Sequence, residues 1–397
     1  MQPERRGQRL RTSRGTRIGL WLIAAIVLAC VGSLPWTLGP GGTGAGRHKE
    51  GWSELARLPP ASLGARTSAT VLRLDARTHE SGPSADEARR LAARARSWWN
   101  LLGTDALGRS LLIRLLAGGG VSLVIGIAAA GVSVCIGTIY GAIAGLAGGT
   151  IDGVMMRIVD VLYGLPYVLL VVLLAVASDA VMDEHISRHG TRTAWMEREA
   201  ARGTAPGEVA DRAAGRAAIA RDPTLKVRLE DEALKRWPPR EMSEGTRTVV
   251  DLVMLLVAIA GVSWLTVARV VRGQVLSLKT MAFVEAARAV GTGWWGILRR
   301  HILPNLVGPV VVYATLAVPQ AVLQESFLSF LGIGVRPPMP SLGNLAADGL
   351  SELNTVRSSW WLLAFPCLVL AATLLALNVV GEGLRVRLDP RTARGTR

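Results

Sequence analysis

Six apolar runs, each about as long as a membrane is thick, constrain this chain more than any other feature. They lie at about 18–35, 121–146, 158–177, 249–268, 306–323 and 361–380. A helix needs about 20 apolar residues to cross the hydrocarbon core. Because lipid cannot satisfy open backbone groups, each run should be a helix. The sequence therefore predicts an all-α, polytopic membrane protein with six transmembrane helices.

The positive charge of the chain, a net +15, lies mostly beside these runs rather than on one soluble face. Basic residues beside spans set membrane orientation, so we expect lipid contact and no nucleic-acid partner. Six crossings put three basic segments on one side, which the positive-inside rule makes cytoplasmic. These segments are the arm 1–17, the connection 269–301 and the tail 382–397. Both termini are therefore expected to be cytoplasmic.

The first run also fits a signal peptide, because a basic start precedes a short apolar stretch. Since five more spans follow, we favour a retained anchor helix over 18–36. The stretches 37–116 and 178–248 then lie outside the membrane, the first leading into the second span. We expect both to be solvated and partly helical. The alternative is a docking surface for an external partner.

Several enzyme classes lose support from residues that the sequence lacks. No Gly-Lys dipeptide occurs, so the chain has no GxxxxGK[ST] loop for ATP. None of the spans contains a histidine, which an intramembrane metalloprotease or a Ser-His protease would need. His185 and His189 have the spacing of a metal pair on a helix, but no third ligand is identifiable nearby. We expect no catalytic residue, cofactor or metal.

Two ionisable residues within the apolar runs are candidate functional groups. Asp160 lies near the start of the third run, and Glu325 lies near the end of the fifth. Such residues usually face the bundle interior or water. The alternative, that each pairs locally at the membrane boundary, stays open. Gly137, Gly141 and Gly145 repeat every four residues on the second run, and this spacing favours close helix packing over pore lining.

A charged stretch, VEAARAVGTGWWGILRRHILPN (284–305), separates the fourth and fifth runs. It predicts a short helix over 283–290, which a left-handed Gly291 ends. A second short helix is predicted over 294–301, and Pro304 suits the start of the fifth span. We call residues 282–302 the polar hairpin.

The residues alone leave two interpretations of the polar hairpin open. It could be a rigid knob that projects from the membrane into the cytoplasm. It could instead be an interfacial amphipathic hairpin, with Trp294 and Trp295 anchored among the lipid headgroups.

The hairpin resembles the EAA loop of bacterial ABC importer permeases. The matching residues are Glu285-Ala286-Ala287, Gly291 four residues later, and Leu303-Pro304. The string EAARAVG…RRHILPN is similar to the dipeptide/oligopeptide/nickel branch, and specifically to its C-type permease subunit. His301 stands where the general pattern has isoleucine, and RHILPN is typical of the peptide branch.

Four other stretches resemble the same branch: 102–126, 148–166, 325–349 and 378–391. The resemblance covers about 101–177 and 251–391, which is most of the chain. It departs at 37–100, which is longer than expected, and at 178–248, where the branch has only a short external loop. These departures put in question how an external binding protein would dock.

The resemblance implies a type I importer permease fold, with a permease domain over 117–381. This domain would contain the insertion 178–248 and a cytoplasmic EAA loop over 279–304. The chain would move dipeptides, oligopeptides or related small solutes across the cytoplasmic (inner) membrane. Its implied partners are a second, B-type permease subunit, one or two cytoplasmic ABC ATPase subunits and an extracytoplasmic substrate-binding protein. ATP hydrolysis would occur in the ATPase, so the chain itself is not expected to be an enzyme.

Within the EAA loop, the resemblance implies a role for each matching residue. Glu285 would fix the loop through hydrogen bonds, either local or to the ATPase. Ala286 and Ala287 would be small enough to seat closely against the ATPase, and Gly291 would make the turn. Leu303 and Pro304 complete the pattern at the start of the fifth span.

Two other function classes compete with transport. In one, the chain is a membrane anchor or sensor whose long external loops bind a partner without transport. In the other it is an intramembrane enzyme, but the spans supply no nucleophile and base.

Overall fold

The described part of the chain is almost entirely helical. The computed structural model describes residues 14–40, 46–61, 69–78, 83–166, 188–204, 212–238, 244–353 and 359–388, with short pieces between 168 and 180. Its helices are α1 (Arg14–Thr37), α2 (Ala69–Thr78), α3 (Pro83–Ala95), α4 (Leu111–Ala147), α5 (Gly149–Gly164), α6 (His189–Thr204), α7 (Arg212–Arg221), α8 (Pro223–Arg236), α9 (Glu244–Leu278), α10 (Ala282–Ala289), α11 (Trp294–Ile297), α12 (Leu303–Phe330), α13 (Leu342–Ser351) and α14 (Trp361–Leu388). The predicted all-α class is confirmed for these residues.

Five helical stretches of the described residues are long and apolar enough to cross a membrane. They are Arg17–Thr37, Leu111–Ala147, Gly245–Leu278, Trp294–Phe330 and Trp361–Val386. These five match the first, second, fourth, fifth and sixth predicted runs. The third run, 158–177, includes positions 167, 170, 174 and 175, which lie outside the described residues. The multi-pass architecture is therefore confirmed, whereas the count of six stays a prediction.

The spanning helices extend beyond the apolar runs that predicted them. The helix α4 has 37 residues and begins at Leu111, ten positions before the predicted start. At 1.5 Å per residue it is about 55 Å long, against about 30 Å of hydrocarbon. The helix α9 likewise continues to Leu278. The apolar run stops where charged side chains begin, but the helix continues, because these side chains form ion pairs with other segments.

The glycine strip of α4 packs against the backbone of α9. A Cβ atom at Gly141 would lie 2.3 Å from the carbonyl oxygen of Ala268, and one at Gly137 would lie 2.7 Å from that of Trp264. Only glycine permits backbones to approach this closely. The packing interpretation of the strip is therefore confirmed.

The chain divides into two compact units, and the insertion that follows α5 belongs to the second, Leu173–Met254. Its helices α6, α7 and α8 enclose an apolar cluster of Met196, Ala200, Leu229 and Ala233. Trp195 packs edge-on against Trp237, with ring centroids 5.6 Å apart. This insertion is partly helical, as predicted, and has a small core of its own.

The stretch between α1 and α4 lies in the first unit and contains an apolar cluster of its own. Its cluster comprises Leu55, Leu58, Val71, Leu74, Ala88, Leu91, Ala92 and Ala95. Thr104 fastens this cluster to the turn before α4, because its hydroxyl accepts the amide of Leu58 at 2.8 Å and its amide donates to the Leu58 carbonyl at 3.1 Å. This stretch is partly helical, as predicted, and it has an apolar cluster that the sequence did not predict.

Candidate functional site

The polar hairpin begins with α10, and a single buried side chain of this helix packs into the helix bundle. Val284 is fully buried, whereas the other residues of α10 are exposed or half-buried. It belongs to an apolar cluster drawn from α4, α9 and the chain that leads into α12. The cluster comprises Val134, Ala142, Leu146, Val267, Val271, Val275, Val284, Ile297, Leu298, Ile302 and Leu306. The base of the hairpin is therefore packed as part of the bundle.

Apart from Val284, α10 exposes mainly charged and small side chains, together with Phe283. Glu285, Ala286 and Arg288 are exposed, and Ala287 is half-buried. Among the described residues, none accepts or donates a side-chain hydrogen bond with the Glu285 carboxylate. The local hydrogen bond that the resemblance allowed for Glu285 is thus not formed within the described chain, and its carboxylate is available to a partner.

Gly291 ends α10 in the left-handed conformation that the sequence predicts, with φ at +84°. The amide of Thr292 donates to the Ala287 carbonyl at 3.0 Å, and the amide of Gly291 donates to the Arg288 carbonyl at 2.9 Å. These two bonds form a Schellman motif. No atom lies within 4 Å of a Cβ built at Gly291, so backbone conformation alone requires glycine here.

The second half of the hairpin differs from the prediction. The expected separate helix over 294–301 is wrong, because α11 passes through a π-helical turn, Leu298–Ile302, directly into α12. Pro304 lacks an amide donor for the preceding turn, and the wider turn accommodates it. In the same turn, the side-chain amide of Asn305 donates to the His301 carbonyl at 2.7 Å.

Two tryptophans lie on the surface at the start of α11. Trp294 is 36% exposed, Trp295 is 71% exposed, and their rings meet edge-on at 4.9 Å. Arg299 and Arg300 are also exposed on the following turn. This surface suits either lipid headgroups or a protein, and it does not by itself decide between the two interpretations of the hairpin.

Ion pairs brace α9 against α5 close to the hairpin. Arg272 donates to both carboxylate oxygens of Asp152, at 2.6 and 2.7 Å. This guanidinium holds the pKa of Asp152 below its usual range. Lys279 donates to the Gly145 carbonyl at 3.2 Å, near the end of α4. Together these contacts fix the segment from which the hairpin emerges.

Asp160 belongs to this bracing and not to a buried polar site. Its side chain is 59% exposed, and it accepts a hydrogen bond from Arg269 at 2.9 Å. The Arg269 guanidinium also lies 4.1 Å from the ring centre of Tyr163. Of the two interpretations of Asp160, the structure supports local pairing.

Glu325, in contrast, is buried completely, at 0% exposure. Its carboxylate accepts hydrogen bonds from Ser329 at 2.7 Å and Ser326 at 3.3 Å. The buried side chains of Ser122 and Ser341 also lie beside it. We call these five residues the serine cluster. Glu325 thus faces the bundle interior, as one of the two interpretations predicted.

The serines also hold backbone around Glu325. The amide of Val335 donates to the Ser329 hydroxyl at 3.0 Å, and the amide of Leu342 donates to that of Ser122 at 3.2 Å. Each serine can therefore accept from the backbone and donate its own proton to Glu325. The cluster joins α4, α12 and the start of α13.

Sequence reasoning missed a second buried polar group, centred on Arg114 at the start of α4. Its guanidinium donates to Asp105 at 2.7 Å and to Asp348 at 3.2 Å. Arg109 donates to the same oxygen of Asp105 at 2.7 Å. We call these four residues the arginine network. Asp348 is 234 positions from Arg114 along the chain, and no local pattern pairs them.

A family of known proteins matches this chain over residues 137–394. Its description is "Binding-protein-dependent transport system inner membrane component". The chain belongs to this family. The matched residues include the polar hairpin and Glu325, so both lie in the part that defines the family.

Curated relatives agree with the family match. The chain is 37% identical over 300 residues to the oligopeptide transport system permease protein OppC of Haemophilus influenzae, covering 76% of this chain and 73% of the relative. It is 34% identical over 292 residues to the dipeptide transport system permease protein DppC of Bacillus subtilis, covering 74% and 69%. It is 38% identical over 289 residues to OppC of Escherichia coli K12, covering 73% and 72%.

The type I ABC permease resemblance is therefore confirmed. The chain is a multi-pass inner-membrane subunit of an ABC transporter rather than an enzyme, and it works with other components of such a transporter.

Proposed function

We propose that this permease moves short peptides across the inner membrane, driven by a separate ATPase that seats on the exposed face of α10. The relatives named for oligopeptide and dipeptide transport support the substrate class. The absence of a GxxxxGK[ST] loop from the sequence supports a separate motor.

The orientation of α10 is the observation that carries the coupling role. A helix lying in the membrane interface directs its apolar face into lipid. In α10 the apolar Val284 points into the protein, and the exposed side chains are mainly charged or small, as Glu285, Ala286 and Arg288 are, with Phe283 also exposed. Such a surface suits a protein groove, and the small Ala286 permits close approach. The observed orientation therefore favours the knob over the interfacial hairpin.

The resulting transporter has a defined arrangement. Both termini and the hairpin are cytoplasmic, and residues 37–116 and 178–248 are extracytoplasmic; the basic segments beside the spans support this orientation. The permease domain covers 117–381. Its partners are a B-type permease subunit, one or two ATPase subunits and an extracytoplasmic substrate-binding protein.

Packing makes the hairpin suitable for transmitting force. Val284 shares its apolar cluster with α4, α9 and α12, so a displacement of α10 carries these helices with it. ATP binding closes the two ATPase subunits, draws the hairpins together and turns the bundle outward-open; hydrolysis resets it. Rigid-body motion of this kind is an ordinary mode of switching.

The ATPase contact is testable by affinity purification from membranes. The wild-type chain is expected to recover an ABC ATPase, and Ala286→Trp is expected to recover at least about tenfold less, because the indole blocks the seat. Val227→Trp places the same side chain on the exposed surface of α8 and serves as the matched control. Failure of the wild type to recover an ABC ATPase, or equal recovery by Ala286→Trp and the control, would contradict the proposal.

A further inference from the structure

A cavity of ≈ 200 Å³ lies beside the arginine network, in the first unit. Its charged lining residues are Asp105, Arg109, Arg114, Asp348 and Glu352, and most of the others are apolar. This volume is several times the roughly 30 Å³ that one water occupies. It is smaller than the roughly 300 Å³ at which pockets for drug-sized ligands begin. The cavity therefore suits a molecule of a few to about ten heavy atoms.

One cationic group on its wall has free hydrogen-bonding capacity. Arg109 uses its Nε to bind Asp105 at 2.7 Å, and its side chain is 15% exposed. Among the described residues, none accepts a hydrogen bond from its two terminal amino groups. A guanidinium with both terminal nitrogens available matches a carboxylate in two-point geometry.

One anionic group on the wall is similarly available. Asp348 accepts from Arg114 through Oδ2 at 3.2 Å, and its side chain is 55% exposed. Within the described part of the chain, no group donates to its Oδ1. Glu352 does not compete for a ligand cation, because both of its oxygens accept from Arg57, at 2.5 and 2.9 Å.

Buried neighbours hold these two groups in place. Asp105 accepts the amides of Leu107 and Arg109, each at 2.9 Å, which fixes the carboxylate that orients Arg109. Arg114, only 5% exposed, spans from Asp105 to Asp348. A recognition site works when a second layer of contacts locks the residues that touch the ligand. The arginine network supplies that layer.

The rest of the wall is apolar. Leu111, Leu345 and Leu362 are buried, and Leu107 is 60% exposed. Charges of both signs line the cavity, and with the Arg57–Glu352 pair they balance. A simple anion would face Asp348, and a simple cation would face Arg109 and Arg114. A ligand with both charges and small apolar side chains matches the whole lining.

We propose that this cavity is a binding site for a small zwitterion of the dipeptide class, with its carboxylate on Arg109 and its ammonium group on Asp348. Placing the site at the extracytoplasmic end rests on the orientation in the proposed function.

Calorimetry with the full-length chain in lipid nanodiscs tests the site with three ligands. Alanylalanine is expected to bind saturably. N-acetyl-alanylalanine lacks the ammonium group and alanylalanine amide lacks the carboxylate, so each is expected to bind about tenfold more weakly or worse.

Two substitutions then assign each charge to its residue. In Asp348→Asn, the affinity for alanylalanine should fall. N-acetylation of the ligand should then reduce the affinity no further, because the ammonium group has already lost its carboxylate partner. In Arg109→Gln, converting the ligand carboxylate to an amide should likewise reduce the affinity no further. Asp86→Asn and Arg89→Gln remove the charges of an exposed pair outside the cavity and should bind like the wild type. Thermal melting verifies that each variant is folded.

The outcomes separate this site from the coupling proposal. The site would be overturned if alanylalanine did not bind saturably or if all three ligands bound equally. It would also be overturned if N-acetylation and amidation still reduced the affinity fully in Asp348→Asn and Arg109→Gln, respectively. ATPase recovery by the same preparation reports on α10 alone. A chain that recovers ATPase but does not bind the dipeptide would refute the cavity and leave the coupling role intact.

Discussion

The two ends of α12 are held in opposite ways. At its start, the polar hairpin is attached through Val284 and an apolar cluster, and its charged residues remain exposed. Near its other end, Glu325 is fully buried and bound by serine hydroxyls. One end is attached through buried apolar side chains and leaves its charged groups exposed, whereas the other end buries a charged group itself.

These two kinds of contact suit two different roles. Apolar contacts are non-directional, so they hold α10 firmly while leaving its outward face free for a partner. A buried polar network must satisfy every member and thereby selects one arrangement of the segments around it. We infer that the hairpin end is made to be contacted and that the Glu325 end is made to keep a single geometry.

Removing the centre of the serine cluster should have the largest effect. Glu325→Ala leaves the buried hydroxyls of Ser326 and Ser329 without this acceptor and opens a cavity. We therefore expect the free energy of unfolding to fall by roughly 2–4 kcal/mol. The measurement is thermal unfolding in detergent. Glu325→Gln keeps one acceptor oxygen and should lose clearly less. Equal losses in the two variants would show that the carboxylate is not the organising group.

Truncating Val284, the buried side chain at the base of the hairpin, should have a smaller and more local effect. Val284→Ala deletes buried methyl groups and should lower the free energy of opening α10 by about 2 kcal/mol. Hydrogen exchange of the amides in α10 measures this opening. Val290 is 87% exposed, so Val290→Ala should change it by less than about 0.5 kcal/mol. If both variants exchange alike, the hairpin is not held through Val284.

The turn after α10 should be less sensitive again. Gly291→Ala forces a side chain into the left-handed region and should cost about 1 kcal/mol. Gly293 has φ at −64° and, like Gly291, has no atom within 4 Å of a Cβ. Gly293→Ala is therefore the matched control and should be tolerated. Exchange rates of the Thr292 and Gly291 amides report the result, and a greater effect at Gly293 would contradict the motif.

The smallest effect is expected from the exposed ion pair beside the arginine network. The Arg57 guanidinium holds the pKa of Glu352 below its ordinary value of 4.5. Because the folded-state pKa is lowered, the pair stabilises the protein above pH 4.5, and this contribution is lost as the pH falls through the lowered value. It should amount to less than about 1 kcal/mol. The melting temperatures of the wild type and Arg57→Gln, compared at pH 7 and at pH 3, measure this contribution. The wild type should melt at the higher temperature at pH 7, and the difference should disappear at pH 3.

Sequence reasoning worked best where one local rule dominates. The apolar runs located the five spans that the described residues contain, and the position of Gly291 predicted its left-handed backbone. It failed where two rules competed. Pro304 suggested a fresh helix start, but a π-helical turn absorbs the proline and α11 continues into α12.

The polar groups show why the rest was out of reach. Asp160 and Glu325 looked alike in the sequence, yet one is exposed beside Arg269 and the other is enclosed by serines. Whether each carboxylate is exposed or buried depends on residues distant in the sequence, such as Ser122 for Glu325. The same holds for Arg114 and Asp348, whose contact only the fold creates.

The most direct test of the coupling role is photo-crosslinking along α10 in native membranes. A photoreactive amino acid is placed in turn at positions 284, 285, 286 and 288. We expect ATPase adducts from 285, 286 and 288, which are exposed, and none from 284, which is buried. Adducts with lipid alone from the exposed positions would contradict the account, because α10 would then lie in the membrane interface and not in an ATPase groove.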